Sequence, residues 1–423
     1  MKKEILLVKF IFILLDIFLF FLALNLTLFF RFGFNFSLYF QEHFLPFFFL
    51  LFFYLLFLLA FNLYDFYLLN LKIIFQRILS FAFSALIFSV IYFYFGQTIF
   101  RISPKTNLFI FISIFIFLLF FSRFLILKFF QKRKIEIYFL GDEKLKEKIE
   151  KDLQNHPLFS FQGFFDYKPA ANKILVVAHH YYLKPEEFQL IFNSEMIVFD
   201  FIDFYERFLG RIPLEAIDSD WLLRQTTFFQ SKIYFYFKRT FDIFLSVFLL
   251  IFLFLPLFLP ISLLIYISDR GPIFFKNLRV GYKKKIFSLI KFRTMREINK
   301  NKTSWAVGEE EKRIFFFGKI LRKTHLDELP QIFNVFKGEL TLVGPRPEQP
   351  EIFYQLEKEI PFYELRIFVL PGITGWAQVN YKYPENVEET KIKLEYDLYY
   401  LKNRSLFLDF LIIIKTIQKL LTF

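Results

Sequence analysis

The chain has 423 residues, of which 56% are apolar and 72 are phenylalanine; it carries a net charge of +13 and no cysteine. That length accommodates two or three domains, and the missing cysteines exclude disulfides, thiolate catalysis and Cys-ligated zinc. The positive charge suits an anionic membrane surface or anionic substrates. Because the basic residues mostly flank hydrophobic stretches, membrane topology accounts for them better than nucleic-acid binding, and no nucleic-acid partner is expected. The phenylalanine excess reads as exchange among interchangeable apolar positions.

Apolar runs at 5–30, 44–69, 78–95 and 108–130 each approach the roughly 20 residues needed to cross a bilayer. The first is too long for a signal peptide and lacks a small-residue cleavage site. Lys2, Lys3, Lys72, Arg77, Lys132, Arg133 and Lys134 fall at the N-terminus, the second connection and the exit. The other two connections hold only Arg31, Arg101 and Lys105. By the positive-inside rule, the N-terminus and everything after Lys132 face the cytoplasm. Asp16 lies within the first run; it is either functional or a helix–helix contact.

From Ile135 the pattern changes. Residues 135–140, 174–178 and 196–201 read as short buried strands, with helices over 143–155 and 185–193 between them. This alternation predicts a small parallel, Rossmann-like α/β domain. Its first turn, Leu140-Gly141-Asp142-Glu143, lacks the three-glycine phosphate fingerprint, and both carboxylates would repel phosphate. A regulatory, interaction or scaffolding role is therefore expected of it. His179-His180 reads as a strand end, since no third metal ligand lies nearby. Asp218-Ser219-Asp220 mimics a glycosyltransferase metal motif but has no glycine-rich strand turn beside it.

The stretch 241–267 is long enough to span, yet Lys232, Lys238 and Arg239 precede it and Lys276, Arg279, Lys283, Lys284 and Lys285 follow. Both flanks thus prefer the cytoplasm. Pro256 and Pro260 interrupt its middle, each removing a backbone hydrogen bond. A bent helix that enters and leaves one leaflet satisfies both observations; the alternative is a fifth, kinked span. The C-terminal stretch 405–423 mixes apolar residues with Asp409, Lys415, Gln418 and Lys419, as an interfacial or an ordinary packed helix would.

The chemistry concentrates between residues 291 and 397. Asp327 and Glu328 are adjacent carboxylates, fit to serve as nucleophile and as magnesium ligands. Thr324-x-x-Asp327 also fits a helix capping box, but that would place Pro330 deep inside the helix. A helix starting later puts both acids at its N-terminus, where free N–H groups would keep Asp327 ionised and welcome phosphate. Arg346 stands between Pro345 and Pro347, a pre-organised guanidinium suited to bidentate phosphate recognition. Lys291 and Arg293 either add phosphate contacts or form a basic rim on a strand. Gly372 and Gly375 permit a tight loop, and Trp376 is placed to stack on a base or face the membrane. Asp397 by itself is an unremarkable helix carboxylate.

Four motifs occur in order over residues 238–415: Lys291-Phe292-Arg293-Thr294-Met295, Leu326-Asp327-Glu328-Leu329-Pro330, Val343-Gly344-Pro345-Arg346-Pro347 and Pro371-Gly372-Ile373-Thr374-Gly375-Trp376. Together they resemble the bacterial sugar transferases, monotopic polyprenyl-phosphate hexose-1-phosphate transferases, in their enlarged form with four spans and a Rossmann-like middle domain. The resemblance implies transfer of a hexose-1-phosphate from a UDP-sugar to undecaprenyl phosphate, starting a surface polysaccharide or glycoconjugate. It implies Asp327 as nucleophile, Glu328 assisting through magnesium, Asp397 as a further active-site acid and Pro256 as the break of a re-entrant helix. His325, Asn277 and Leu370 depart from residues common in the family, the last where an arginine often stands. The expected architecture is thus an α/β membrane protein: four spans over 1–131, the Rossmann-like domain over 132–230, and an α-rich catalytic domain with a re-entrant helix over 231–423. A homodimer through the spans or the α/β domain is compatible with the sequence, which marks no interface. The alternative function is a catalytically inactive membrane scaffold or regulator.

Overall fold

In a computed structural model the described residues are 2–61, 63–64, 71–100, 105–130, 134–154, 156, 159–166, 173–178, 181–182, 184–193, 196–224, 232–296 and 313–421. The chain divides into two compact units, Met1–Phe204 and Tyr205–Phe423. His179-His180 lies outside the described residues.

The first unit opens with four long helices: α1 (Lys2–Phe32), α2 (Phe36–Ala60), α3 (Leu71–Phe100) and α4 (Lys105–Phe130). A single 3-10 turn at Gly33–Asn35 reverses the chain between α1 and α2, with Gly33 at φ +60, a backbone state that costs glycine nothing. Each helix packs on the next, and α1 closes the ring against α4. The bundle centre is aromatic: the fully buried Phe20 ring meets Tyr54 at 5.5 Å, Phe111 at 4.8 Å and Phe115 at 5.6 Å, mostly edge-on. Such pairs add about 0.5–1.5 kcal/mol each beyond their area. Other phenylalanines, among them Phe18, Phe30, Phe52 and Phe117, point outward. Among the described residues, four helical stretches are long and apolar enough to cross a membrane. Lys9–Ala60 holds both α1 and α2; the others are Arg77–Gly96, Thr106–Ile126 and Tyr234–Asp269.

Asp16 is a helix–helix contact. Its carboxylate accepts a 2.6 Å bond from the Arg123 guanidinium, and both side chains are fully buried. The guanidinium also lies over the rings of Phe12 and Tyr64. In an apolar bundle neither charge is tolerable alone, so the pair bolts α1 to α4. A second polar cluster joins Arg31 to Asn107 at 2.5 Å and Asn107 to His43 at 3.0 Å.

The rest of this unit is a four-stranded parallel sheet. It contains β1 (Ile135–Leu140), β2 (Phe159–Phe164), β3 (Ile174–Val177) and β4 (Ile197–Asp200), in the order β2-β1-β3-β4. Helices α5 (Glu143–Leu153) and α6 (Pro185–Asn193) connect strands, and α7 (Phe201–Phe204) ends the unit. Strand β2 is an addition to the expected three. Its sequence contains Gly163 and takes a bulge where it pairs with Ile137 and Tyr138, so its alternation is broken. Asp142 caps α5 by accepting from Leu145 N at 2.9 Å. That is a structural use of the acid that disfavoured phosphate in this turn.

The second unit begins earlier than composition indicates. The short helix α8 (Ser219–Arg224) and the residues before it pack onto this unit. Arg211 pairs with Glu395 at 2.9 Å, Glu206 with Lys402 at 2.7 Å, and Gly210 O accepts from Trp376 Nε1 at 2.7 Å. Asp218 caps Trp221 N and Asp220 pairs with Arg224; neither joins a metal-ligating group.

The long apolar segment then runs as α9 (Lys232–Leu249), a π-helical turn at Leu250–Phe254, and α10 (Leu255–Asp269). The break expected at Pro256 is thus a change of helix type, not an interruption. The wider turn precedes Pro256, which takes the second position of α10. Pro260 lies inside α10 and does forfeit a bond. Both arms pack on the same unit. On α9, Arg239 donates to Phe336 O and Asp242 accepts from the Thr341 hydroxyl. On α10, Ile261 and Ile265 join Phe254 in one core with Phe292, Leu321 and Ile332.

The remaining elements build the site. β5 (Phe274–Val280) and β6 (Ile286–Phe292) form an antiparallel hairpin. The helices α11 (Phe316–Lys323) and α12 (Ile332–Lys337) flank a 3-10 turn at Leu326–Gln331. Then come β7 (Thr341–Val343), α13 (Pro350–Glu359), β8 (Gly372–Thr374), α14 (Trp376–Asn380), α15 (Val387–Asn403) and α16 (Leu406–Leu421). β7 and β8 pair in parallel, so closely that a Cβ on Gly372 would collide with Gly344 N.

Breaking the buried pair in the bundle should show its cost. Asp16→Leu or Arg123→Leu alone is expected to destabilise the detergent-solubilised protein by about 3–5 kcal/mol, because one charge remains buried unpaired. The double substitution should be clearly milder in the same thermal-unfolding measurement.

Candidate active site

Two chain segments converge on Glu328. Lys291, on β6, donates to Glu328 Oε1 at 2.7 Å. Arg346 closes on the same carboxylate with both arms, Nη2 to Oε1 at 2.6 Å and Nη1 to Oε2 at 3.2 Å. Such two-pronged charge-assisted contacts fix orientation as well as adding energy. The register of β6 against the 3-10 turn is set by Asn334, which is wholly buried. Its side chain accepts from Ile290 N at 3.1 Å and donates to Ser288 O at 2.8 Å.

Asp327 and Glu328 lie inside the 3-10 turn Leu326–Gln331, together with Pro330, and α12 starts only at Ile332. Both acids thus fall in the first turn of a 3-10 segment that runs directly into α12, near the helix start expected for them. His325 enters the turn at φ +54, a left-handed state that histidine adopts more readily than most residues. Thr324 bonds backward to Ile320 O at 2.8 Å, so no capping box forms.

The two acids differ in charge state for physical reasons. Burial opposes ionisation of Glu328, but Arg346 and Lys291 outweigh it and hold the carboxyl far below the usual range. Asp327 is only 8% exposed. Burial, then the charge of Glu328, pushes its pKa up, against weaker opposition from Lys291, His325 and Arg322. Burial and the Glu328 charge therefore work against the ionised Asp327 that a helix end was expected to favour. Burial, together with the Arg346 charge, also pulls Lys291 down, with Glu328 opposing.

Arg346 is fixed from behind. Arg366 is buried, and its guanidinium donates to Arg346 O at 2.8 Å, to Asp397 Oδ2 at 2.9 Å and to the Tyr363 hydroxyl at 2.6 Å. Asp397 therefore reaches the site through Arg366, not directly. Beside this chain, Lys393 bonds Glu348. Burial raises the Glu348 pKa, but Lys393 and Arg366 overcome it and bring the value to about 2. Arg366, Asn334, Lys393 and Glu348 carried no local sequence signal, since each acts on a residue 20 or more positions away or sits in an ordinary helical or turn context.

The other expected residues are placed elsewhere. Arg293 forms its ion pair with Asp269 at 3.1 Å, at the end of α10, with its guanidinium in the space that a Cβ on Gly271 would fill. The Trp376 ring stacks on Tyr399 at 5.4 Å and lies under the Lys415 ammonium at 4.4 Å. Gly372 contributes backbone: its N–H donates to Pro345 O at 2.9 Å, tying its loop to that of Arg346. A cavity of about 270 Å³ opens over Glu328 and Arg346, walled by His325, Tyr383, Lys393 and Lys419 among others.

Magnesium fits this donor set. Among the described residues no three acidic or histidine side chains converge. Two carboxylates with substrate phosphates completing the shell are the usual magnesium arrangement. Asp327 and Glu328 would hold it, and the mutual repulsion that raises Asp327 is what a cation relieves.

The family description "Bacterial sugar transferase" matches residues 233–423. The chain is 41% identical over 151 residues to the uncharacterized sugar transferase EpsL of Bacillus subtilis, covering 36% of this chain and 70% of that protein. The chain belongs to the bacterial sugar transferase family. It is also 40% identical over 217 residues to a UDP-N-acetylgalactosamine-undecaprenyl-phosphate N-acetylgalactosaminephosphotransferase of Aeromonas hydrophila. A UDP-glucose:undecaprenyl-phosphate glucose-1-phosphate transferase of Xanthomonas campestris is 42% identical over 160 residues. These matches cover 51% and 37% of this sugar transferase, but only 50% and 33% of the two relatives.

The raised Asp327 predicts a pH-dependent stability effect. A carboxyl whose folded pKa is raised contributes stability that is complete below the unfolded pKa and is lost as pH rises through the folded value. Ionised Asp327 is therefore a cost at neutral pH. Asp327→Asn should raise the melting temperature near pH 7.5, with the gain shrinking as pH falls towards the ordinary carboxylate range.

Proposed function

We propose that this sugar transferase moves a hexose-1-phosphate from a UDP-sugar to undecaprenyl phosphate, with release of UMP. The observation that carries the proposal is the buried Asp327 next to Glu328, a carboxylate that Arg346 and Lys291 clamp and that lines a cavity with Arg346. The names of the Aeromonas and Xanthomonas relatives, both undecaprenyl-phosphate sugar phosphotransferases, support the substrate classes.

In this reading an Asp327 oxygen attacks the phosphorus that bears the sugar. The bond to the bridging oxygen breaks, UMP leaves with the electron pair, and the sugar phosphate remains as an acyl phosphate on Asp327. An oxygen of the lipid phosphate then attacks the same phosphorus and Asp327 leaves as carboxylate, giving the polyprenyl diphosphate sugar. Arg346 and Lys291 neutralise charge on the phosphoryl oxygens, which is most of what phosphoryl transfer asks of a protein. Asp327 and Glu328 would hold a magnesium ion, which when bound would add charge neutralisation for the diphosphate. Arg366 and Asp397 keep Arg346 in place.

The lipid substrate requires the site to lie near a bilayer. Both arms of α9–α10 pack on one unit while residues such as Phe244, Phe252, Leu259 and Leu263 point outward, which supports a segment that enters and leaves the same leaflet. The lysines on both flanks support a cytoplasmic position for the site in a bacterial inner membrane. The parallel sheet of the first unit is read as a Rossmann-like accessory domain, and a homodimer would form through it or through the spans.

Two measurements test the proposal. Intact mass of the purified protein incubated with UDP-sugars and magnesium, without lipid, should show a sugar-phosphate adduct that is absent in Asp327→Asn. No adduct with any donor, and no UMP release when undecaprenyl phosphate is supplied, would sink the enzyme reading in favour of a membrane scaffold. Arg346→Lys keeps the charge but loses the fork, and UMP release should fall about a hundredfold in kcat/KM, the equivalent of about 2.7 kcal/mol.

A further inference from the structure

The two cations that a donor phosphate would use are already engaged. Arg346 spends its fork on Glu328, and Lys291 donates to the same carboxylate oxygen. A guanidinium grips a carboxylate and a phosphate with the same parallel pair of bonds. Glu328 thus stands where a phosphate would receive those contacts. The next cations outward are also engaged: Arg366 with Asp397, and Lys393 with Glu348. The inner cluster is balanced, with Lys291 and Arg346 against Asp327 and Glu328. At Lys291 and Arg346, an anion arriving alone meets cations that are already paired, beside two carboxylates.

The members of this cluster are not equally movable. The Arg346 backbone is held by Arg366 and by a proline on each side. Lys291 sits on a strand whose register Asn334 fixes. Glu328 has neither restraint on its side chain beyond the clamp itself and borders the open cavity. The side chain that yields is therefore Glu328.

We propose that Glu328 is a specificity-determining internal anion: it occupies the donor-phosphate position in the empty site and gives way only to a diphosphate that arrives with a divalent cation, to which its carboxylate turns. Free phosphate and nucleoside monophosphates, which bring no tightly held cation, are turned away. This rests on the proposed function, because it presumes that the cavity receives a nucleoside diphosphate sugar.

The test is equilibrium binding of UDP to the full-length protein in nanodiscs, by calorimetry, with either EDTA or magnesium present. Wild type should bind UDP weakly in EDTA and much more tightly with magnesium. Glu328→Gln removes the charge and keeps the shape. Its affinity for metal-free UDP should rise about tenfold or more, since the freed charge-assisted contacts are the strong ones. Inorganic phosphate should begin to compete, and the effect of magnesium should shrink. Glu328→Asp retains the charge and should retain the metal requirement. If folded Glu328→Gln binds metal-free UDP no more tightly than wild type, the inference falls. It falls equally if Glu328→Asp gains metal-free binding equal to the glutamine variant, since loss of the clamp geometry would then explain the effect. Wild type that fails to bind UDP even with magnesium would remove the donor reading and this inference with it. Wild type that binds with magnesium, beside an unimproved glutamine variant, removes only the inference.

Discussion

The ion cluster centred on Glu328 is the contact on which the rest of the catalytic unit depends. It joins a strand, a 3-10 turn and a proline-bounded loop, carrying Lys291, Glu328 and Arg346, that are distant in sequence and share no local propensity for meeting. Buried charges of this kind are tolerable only when paired and further hydrogen-bonded. The surrounding structure supplies that pairing in layers: Arg366 behind Arg346, Asp397 and Tyr363 behind Arg366, Asn334 behind the strand. The parallel contact of β7 with β8 then brings the Gly372 loop against the Arg346 loop, and its closeness leaves no room for a side chain at Gly372.

A second buried network fastens the membrane-type segment to this unit. Lys238 bonds Asp409 at 2.7 Å, and the Tyr400 hydroxyl lies 2.8 Å from the other Asp409 oxygen and 2.9 Å from Val343 O. Asp242, one turn after Lys238, accepts from Thr341 on β7. The start of α9 is thus tied to the strand that leads into Arg346, while the end of α10 is tied by Asp269 and Arg293 to the strand that carries Lys291. An apolar helix anchored at both ends beside the chemistry places the site at a fixed distance from whatever surrounds its outward face.

Much of this was legible in the sequence where the signal is local. The strand at Ile135–Leu140 and the helix at Pro185–Asn193 follow from alternation and periodicity and match the structure. The acids and Arg346 announced themselves through adjacency and flanking prolines. What was not legible is non-local or depends on geometry at the ångström scale. Strand β2 was hidden by its glycine and bulge. Lys291 and Arg293, two residues apart, should share a strand face, but β6 ends at Phe292 and Arg293 turns to Asp269. Arg366 acts across 20 residues on a backbone oxygen, a role no residue pattern encodes. The π-turn before Pro256 is equally silent, because a proline signals a break and not how the chain accommodates it.

The contrast between Asp327 and Glu328 carries the last step. Both neighbours are largely buried, yet among the described residues only Glu328 has cations within bonding distance, so its carboxyl is held low while burial and the Glu328 charge push that of Asp327 up. A carboxylate stabilised by a close guanidinium is a poor nucleophile, because attack must first break those contacts. One raised by burial and by a neighbouring charge is more basic and less encumbered, and its electrostatic cost is relieved as the phosphoryl group and its cation arrive. In the proposed function the stabilising charge falls on the acid assigned to positioning, Glu328, and the acid assigned to attack, Asp327, is the one that burial and its neighbour destabilise.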